Sequence, residues 1–178
     1  MLVPRQTVPA LTVETLENGT FDLAGESSEF GTLVVFYRGL HCPICANYLK
    51  ELDRQIAEFD KRGVSVIALS SDEKDRAQQM ADKIENKNIR FGYGLPLPVA
   101  RDWGLSISTS RGTTSIGIVE PDLFAEPGVF LVKPDQTLYW ANVQTMPFVR
   151  PIFRDMVAAL DFAIPNEYPA RGEYTGAL

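Results

Sequence analysis

The two cysteines of the chain stand three positions apart, in Cys42-Pro43-Ile44-Cys45, and no other feature constrains the fold so tightly. Just before them runs Thr32-Leu33-Val34-Val35-Phe36-Tyr37, a continuous apolar and β-branched stretch of the kind that forms a strand covered on both faces. Just after them, Ile44, Tyr48, Leu49, Leu52, Ile56 and Phe59 recur at helical spacing to about Arg62, with Gly63 as the stop. The pair is therefore expected where a central strand turns into a long amphipathic helix. Val64-Ser65-Val66-Ile67-Ala68-Leu69 supplies a second buried strand, and Ser70 and Glu73 have capping-box spacing for a helix to about Glu85. This βαβα order implies parallel strands, right-handed crossovers and an α/β sandwich.

The flanks add a hairpin and a closing unit. Leu11 to Leu16 alternates like a half-buried strand, and Asn18-Gly19 is expected to supply the two positive-φ residues of a tight turn before Phe21-Asp22-Leu23. A short strand is expected around Ile89-Arg90-Phe91, a helix over Val99 to Trp103, and an irregular Ser/Thr-rich stretch from Ser106 to Ser115. Strands at Val129 to Val132 and Thr137 to Ala141 flank the turn Pro134-Asp135-Gln136. A last helix starts near Pro151 and carries Ile152, Phe153, Met156, Val157 and Leu160 toward the sheet. Residues 164–178 hold two prolines and two glycines without periodicity, which reads as an extended tail appended to one domain over 1–163.

Composition narrows the partners. At 178 residues the chain fits one domain, and 45% hydrophobic with 22% charged residues excludes a disordered tail or a disulfide-stapled miniature. A net charge of -6 with no basic cluster excludes nucleic acid and anionic membrane surfaces as partners. No run approaches the roughly 18 apolar residues of a span, and Met1 to Thr7 lacks a basic and then apolar leader, so a cytoplasmic protein is expected. Nothing in the sequence asks for a cofactor.

A stabilising disulfide closes a long loop, and this pair closes almost none. Its meaning is chemical. Residues i and i+3 of a helix have Cα atoms about 5 Å apart, inside the roughly 4.4–6.8 Å that a disulfide needs, so the pair can close and open with little backbone movement. Pro43 suits the first helical position, which puts Cys42 at the N-cap. A thiolate there meets free amides and the positive end of the helix dipole, so Cys42 is the better nucleophile and Cys45, one turn inside, the resolving thiol. The competing readings are half of a zinc site, for which the chain has one histidine and no further cysteine, and inert packing of two small side chains. His41 is that histidine and adjoins Cys42; it is either an imidazolium that favours the thiolate or a solvated loop residue. Arg38 either adds positive potential or is a surface arginine, and Ser108-Thr109-Ser110-Arg111-Gly112 offers hydroxyls and the Arg111 guanidinium to a polar substrate or is simply loop. Trp103, Trp140 and Tyr139 read as core.

A strand, a CxxC at a helix start, a βα unit and then Glu126-Pro127-Gly128-Val129-Phe130-Leu131 resemble a thioredoxin-like fold, a central mixed sheet flanked by helices. In that fold a cis-proline before the penultimate strand faces the cysteines, and the resemblance assigns Pro127 to that place. The N-terminal β-hairpin extension, Phe36-Tyr37 before the loop and Gly63 to Asp72 resemble the alkyl hydroperoxide reductase/thiol-specific antioxidant superfamily, within it the redoxin-domain, peroxiredoxin-like proteins with a CPxC motif, over about Val8 to Phe162. Those enzymes carry Pro-x-x-x-Thr/Ser-x-x-Cys. Counting from Phe36-Tyr37 puts Cys45 at their peroxidatic cysteine, Cys42 at the Thr/Ser and Arg38 at the Pro, and no Arg stands beside Pro127.

The resemblance implies a thiol-dependent oxidoreductase, either a peroxidase or a thiol-disulfide oxidoreductase. It would take a hydroperoxide or disulfide substrate and a thiol reductant such as thioredoxin or glutathione, as a monomer or a homo-oligomer. The non-enzymatic alternative is a thioredoxin-fold binding module with an incidental CxxC.

Overall fold

A computed structural model describes residues 2–177. Its seven-stranded sheet has the order β2 (Thr20–Asp22), β1 (Thr12–Thr15), β5 (Arg90–Tyr93), β4 (Val64–Leu69), β3 (Gly31–Phe36), β8 (Gly128–Val132) and β9 (Leu138–Val143). At the centre lies β3 (Gly31–Phe36), buried along its whole length, parallel to β4 (Val64–Leu69) and antiparallel to β8 (Gly128–Val132). Leu33 and Val35 join one core cluster, Val34 and Phe36 the other, which is why this run carries apolar residues at consecutive positions. β5 (Arg90–Tyr93) continues the parallel set beside β4. β9 (Leu138–Val143) pairs antiparallel with β8, so the sheet is mixed. The hairpin of β1 (Thr12–Thr15) and β2 (Thr20–Asp22) joins antiparallel to β5. This is the expected thioredoxin-like arrangement with its N-terminal extension.

Helix α1 (Pro43–Asp60) begins with Cys42 as N-cap and Pro43 in its first turn, and turns Cys45, Leu49, Leu52, Ile56 and Phe59 into the core. Fully burying each of the two leucines contributes roughly 1.5–3 kcal/mol. After the helix Gly63 adopts φ +67, where a Cβ would stand 2.7 Å from Glu29 Cβ. Helices α2 (Lys74–Ile84) and α4 (Phe153–Ala163) contribute to the same cluster through Met80, Phe153, Val157 and Leu160. On the other face, α3 (Leu97–Asp102) leads into Trp103, whose ring lies 5.4 Å from Phe36 and 5.1 Å from Phe130.

Several local expectations are corrected. The first turn closes through Thr15 N–H donating to Gly19 O, and of Asn18 and Gly19 only the glycine has positive φ. Ser70 and Glu73 form no capping box: Glu73 is the N-cap of α2 without a side-chain bond, and Ser70 Oγ accepts from the Asp72 amide instead. The stretch read as irregular contains β6 (Ile107–Thr109), paired antiparallel with β7 (Leu123–Ala125) in a separate hairpin. Its strands are too short for periodicity to announce. Ile152 is half exposed because the helix starts one residue later, at Phe153. Beyond α4 the chain is tied down by Arg5 Nε donating to Ala170 O and Tyr139 Oη donating to Tyr168 O.

Candidate active site at the thiol pair

The loop from β3 to α1 is fixed at each step. Tyr37 N–H donates to Leu69 O at 3.0 Å and keeps the chain beside β4; Cys42 N–H then donates to Gly39 O at 3.1 Å and closes a turn. Both thiols are reduced and buried, Cys42 at 1% and Cys45 at 0% exposure. Cys42 has the N-cap backbone, φ -98 and ψ 108, but its sulfur makes no capping hydrogen bond; its carbonyl accepts from the Cys45 amide. The stabilising donors come from elsewhere.

One of them is Arg150, on the loop between β9 and α4. Its Nη2 donates to Cys45 Sγ at 3.3 Å and lies 3.8 Å from Cys42 Sγ. Its Nε donates to Pro147 O at 2.9 Å, and the guanidinium lies over the Tyr48 ring at 5.1 Å. Tyr48, one turn beyond Cys45, donates from Oη to Pro151 O and so anchors the loop to α1.

The Cys42 thiol is held down to about 5, chiefly by a hydrogen bond from the Cys45 thiol, against the opposing effect of burial, with the positive charge of Arg150 and a contact from Arg38 adding to it. Burial pushes the Cys45 thiol well up, and its bond to Cys42 reinforces that. The two thiols are thus shifted in opposite directions, Cys42 toward the thiolate and Cys45 toward the neutral thiol.

The other expected side chains take definite places. Arg38 Nε meets Glu126 Oε2 at 3.2 Å, its Nη2 lies 3.8 Å from Glu120 Oε1, and its guanidinium covers Phe124 at 4.7 Å. His41 is fully buried, 4.6 Å from the Phe124 ring, with neither nitrogen hydrogen-bonded. Burial, and then Arg38, lower its pKa to about 4, so at neutral pH it is an uncharged imidazole, neither imidazolium nor solvated loop residue. Arg111 is exposed and uses its amide, not its guanidinium, to bond Glu120 Oε2. The guanidinium that bonds both sulfurs belongs to Arg150.

Pro127 lies buried between β7 and β8, and the expected cis bond to Glu126 is absent: the described residues contain no cis peptide. The trans link suits the bonds on either side of it. Glu126 N–H donates to Ser106 O and Pro127 O accepts from Gln144 N–H, so the chain passes extended from one pairing to the next.

Arg150 escaped the sequence reading because it sits among Pro147, Phe148, Val149 and Pro151, where no periodicity or spacing ties it to the cysteines. Among the described residues no cluster of three or more His, Cys, Asp or Glu could hold a metal ion. A large cavity of about 1280 Å³ between β9, α4 and the terminal segments is lined by residues such as Trp140, Met156 and Phe162. Neither cysteine nor Arg150 lines it, so it is separate from this chemistry. No helix among the described residues is long and apolar enough to cross a membrane.

Known proteins resemble the chain in sequence and in fold. The AhpC/TSA family model matches residues 4–141. The chain is 30% identical over 109 residues to a 1-Cys peroxiredoxin of Onchocerca volvulus, covering 54% of this chain and 45% of that one. It is 27% identical over 131 residues to a 1-Cys peroxiredoxin of Dictyostelium discoideum, covering 71% and 50%. The chain thus spans about half the length of the curated relatives it matches. Among solved structures, peroxidoxin BcpB from Mycobacterium tuberculosis superposes with TM-score 0.70 at 16% identity, covering 92% of this chain and 99% of that one. Reduced 2-Cys peroxiredoxin from Plasmodium vivax gives 0.73 at 15%, covering 94% and 84%. These likenesses establish the fold.

Proposed function

This chain belongs to the AhpC/TSA family, and on that premise we propose that it is a two-cysteine thiol peroxidase in which Cys42 attacks a hydroperoxide and Cys45 resolves the product. The observation that carries this reading is the placement of both thiols at the start of α1 under one guanidinium, Arg150 Nη2 standing 3.3 Å from Cys45 Sγ and 3.8 Å from Cys42 Sγ, with the Cys42 thiol lowered and the Cys45 thiol raised. The thiolate is the attacking species in such chemistry. Cys42 Sγ attacks the terminal oxygen of ROOH: the S–O bond forms, the O–O bond breaks, and RO⁻ leaves to take a proton from solvent. The Cys42 sulfenic acid is then attacked by Cys45: the S–S bond forms, the S–O bond breaks, and the hydroxyl departs as water with the Cys45 proton. An external thiol reductant such as thioredoxin or glutathione returns both thiols and is itself oxidised. A cytoplasmic setting, where those reductants hold thiols reduced, fits this cycle. The redox unit is residues 1–163, with 164–178 as an appended tail.

Two observations favour a second assignment within the same activity. Arg150 approaches Cys45 more closely than Cys42, 3.3 against 3.8 Å, and Cys45 occupies the peroxidatic register counted from Phe36-Tyr37. In that version Cys45 attacks, and Cys42 stands where relatives use a hydroxyl.

Steady-state turnover of the reduced protein with hydrogen peroxide, an organic hydroperoxide and a protein disulfide tests the activity. Hydroperoxide consumption is expected. Turnover of the protein disulfide alone, with both peroxides untouched, would instead assign a thiol-disulfide oxidoreductase, and inertness to all three a binding module.

A further inference from the structure

Asp72, on the turn between β4 and α2, reaches into the thiol loop. Its side chain is 1% exposed. Oδ2 accepts from the Leu40 amide at 2.7 Å, two residues before Cys42, and Oδ1 accepts from Arg76 Nε at 2.9 Å. The backbone that carries the carboxylate is itself held, because the Asp72 amide donates to Ser70 Oγ and its carbonyl accepts from Gly94 N–H. Gly39 accommodates it: at φ +137, a Cβ there would fall 2.8 Å from Oδ2, so only a glycine lets the loop close over the carboxylate. Arg76 continues the linkage, its Nη2 donating to Val119 O at 3.3 Å on the β6–β7 hairpin, next to Glu120 and its contact with Arg38. One buried carboxylate thus ties the thiol loop, α2 and the covering hairpin together.

We propose that Asp72 is a positioning residue for the thiol pair, its carboxylate setting through the Leu40 amide where Cys42 stands relative to Arg150. The inference rests on the reading of Cys42 as the attacking thiolate. A short charge-assisted hydrogen bond to a buried amide near the nucleophile fixes a loop that α1 alone does not, since Cys42 has no capping bond of its own. Sign separates positioning from plain electrostatics. Arg76, His41 and Tyr37 face this carboxylate, Arg38 and Glu120 lie beyond His41, and Arg150 and Tyr48 stand at the sulfurs. Deleting one negative charge from that set favours the thiolate and lowers the pH at which it forms. Displacing Cys42 from Arg150 raises it.

The test is the pH profile of thiol alkylation, the second-order rate with hydrogen peroxide and the Tm, for wild type, Asp72→Ala and Asp72→Asn. Asp72→Ala is expected to raise the alkylation midpoint by about one pH unit and to slow peroxide attack roughly 100-fold, the scale of a 1 Å misplacement. Asp72→Asn keeps an oxygen for the Leu40 amide and should lose about tenfold in rate, with a smaller upward shift. Should the alanine variant not fold, the asparagine variant decides alone. A midpoint that stays put or falls, with the peroxide rate preserved, overturns the inference whatever happens to Tm. A wild-type midpoint near that of free cysteine would overturn the Cys42 reading beneath it as well.

Discussion

Arg150 Nη2 stands 3.3 Å from the Cys45 sulfur across 105 positions of sequence. The same guanidinium lies on the Tyr48 ring, so α1 supplies Cys45 and the aromatic surface that orients the cation, with Cys42 at its N-cap. Arg150→Met keeps much of the packing and removes the charge. It is expected to raise the alkylation midpoint of Cys42 and to slow peroxide attack roughly 100- to 1000-fold, the range for loss of one preorganised donor. Stopped-flow peroxide kinetics of the reduced variant check this.

His41 gives a pH dependence of known sign. Its folded pKa of about 4 lies below the unfolded value near 6.5, so between the two the unfolded chain binds a proton that the folded chain refuses. Stability from this group is complete above about 6.5 and is lost as pH falls toward 4, by on the order of 2 kcal/mol. Cys42 acts in the same sense over a higher window, stabilising above the unfolded thiol value near 8.5 and losing that contribution as pH falls through about 5. Comparing His41→Phe with wild type isolates the first effect. Urea unfolding at pH 7 and 4.5 should show a smaller loss in the variant, and an identical loss would contradict the assignment.

Gly39 offers a backbone test. Gly39→Ala must hold a Cβ at φ +137 against the Asp72 carboxylate, and should cost about 1–3 kcal/mol of stability. Gly25→Ala, with ordinary φ and nothing within 4 Å of the added carbon, should stay within about 0.5 kcal/mol. Thermal unfolding of the two variants side by side checks the contrast.

The legible parts of this molecule were those written in local pattern. The run Thr32 to Tyr37 showed β3, the spacing from Ile44 to Phe59 showed α1, and Pro43 placed Cys42 at the N-cap. The illegible parts depend on contacts between distant segments. Arg150, Asp72 and the Arg38–Glu126 pair reach the thiol loop from three different connections, and no periodicity encodes such meetings. Ser70 failed as a cap because its hydroxyl found the nearer Asp72 amide. The cis bond expected at Pro127 came from resemblance alone, and the hydrogen bonds of Glu126 and Pro127 to their neighbours hold the extended trans path.

The order of attack is the centre of the account, and one equivalent of hydrogen peroxide added to each single-cysteine variant in the presence of dimedone tests it most directly. Cys45→Ser keeps a hydroxyl donor beside Cys42, so a sulfenic acid should form there rapidly and be trapped as the dimedone adduct in the intact mass. Cys42→Ser should give little adduct, and wild type should give the disulfide instead. Rapid adduct formation by Cys42→Ser with none by Cys45→Ser would contradict the account and make Cys45 the attacking thiolate.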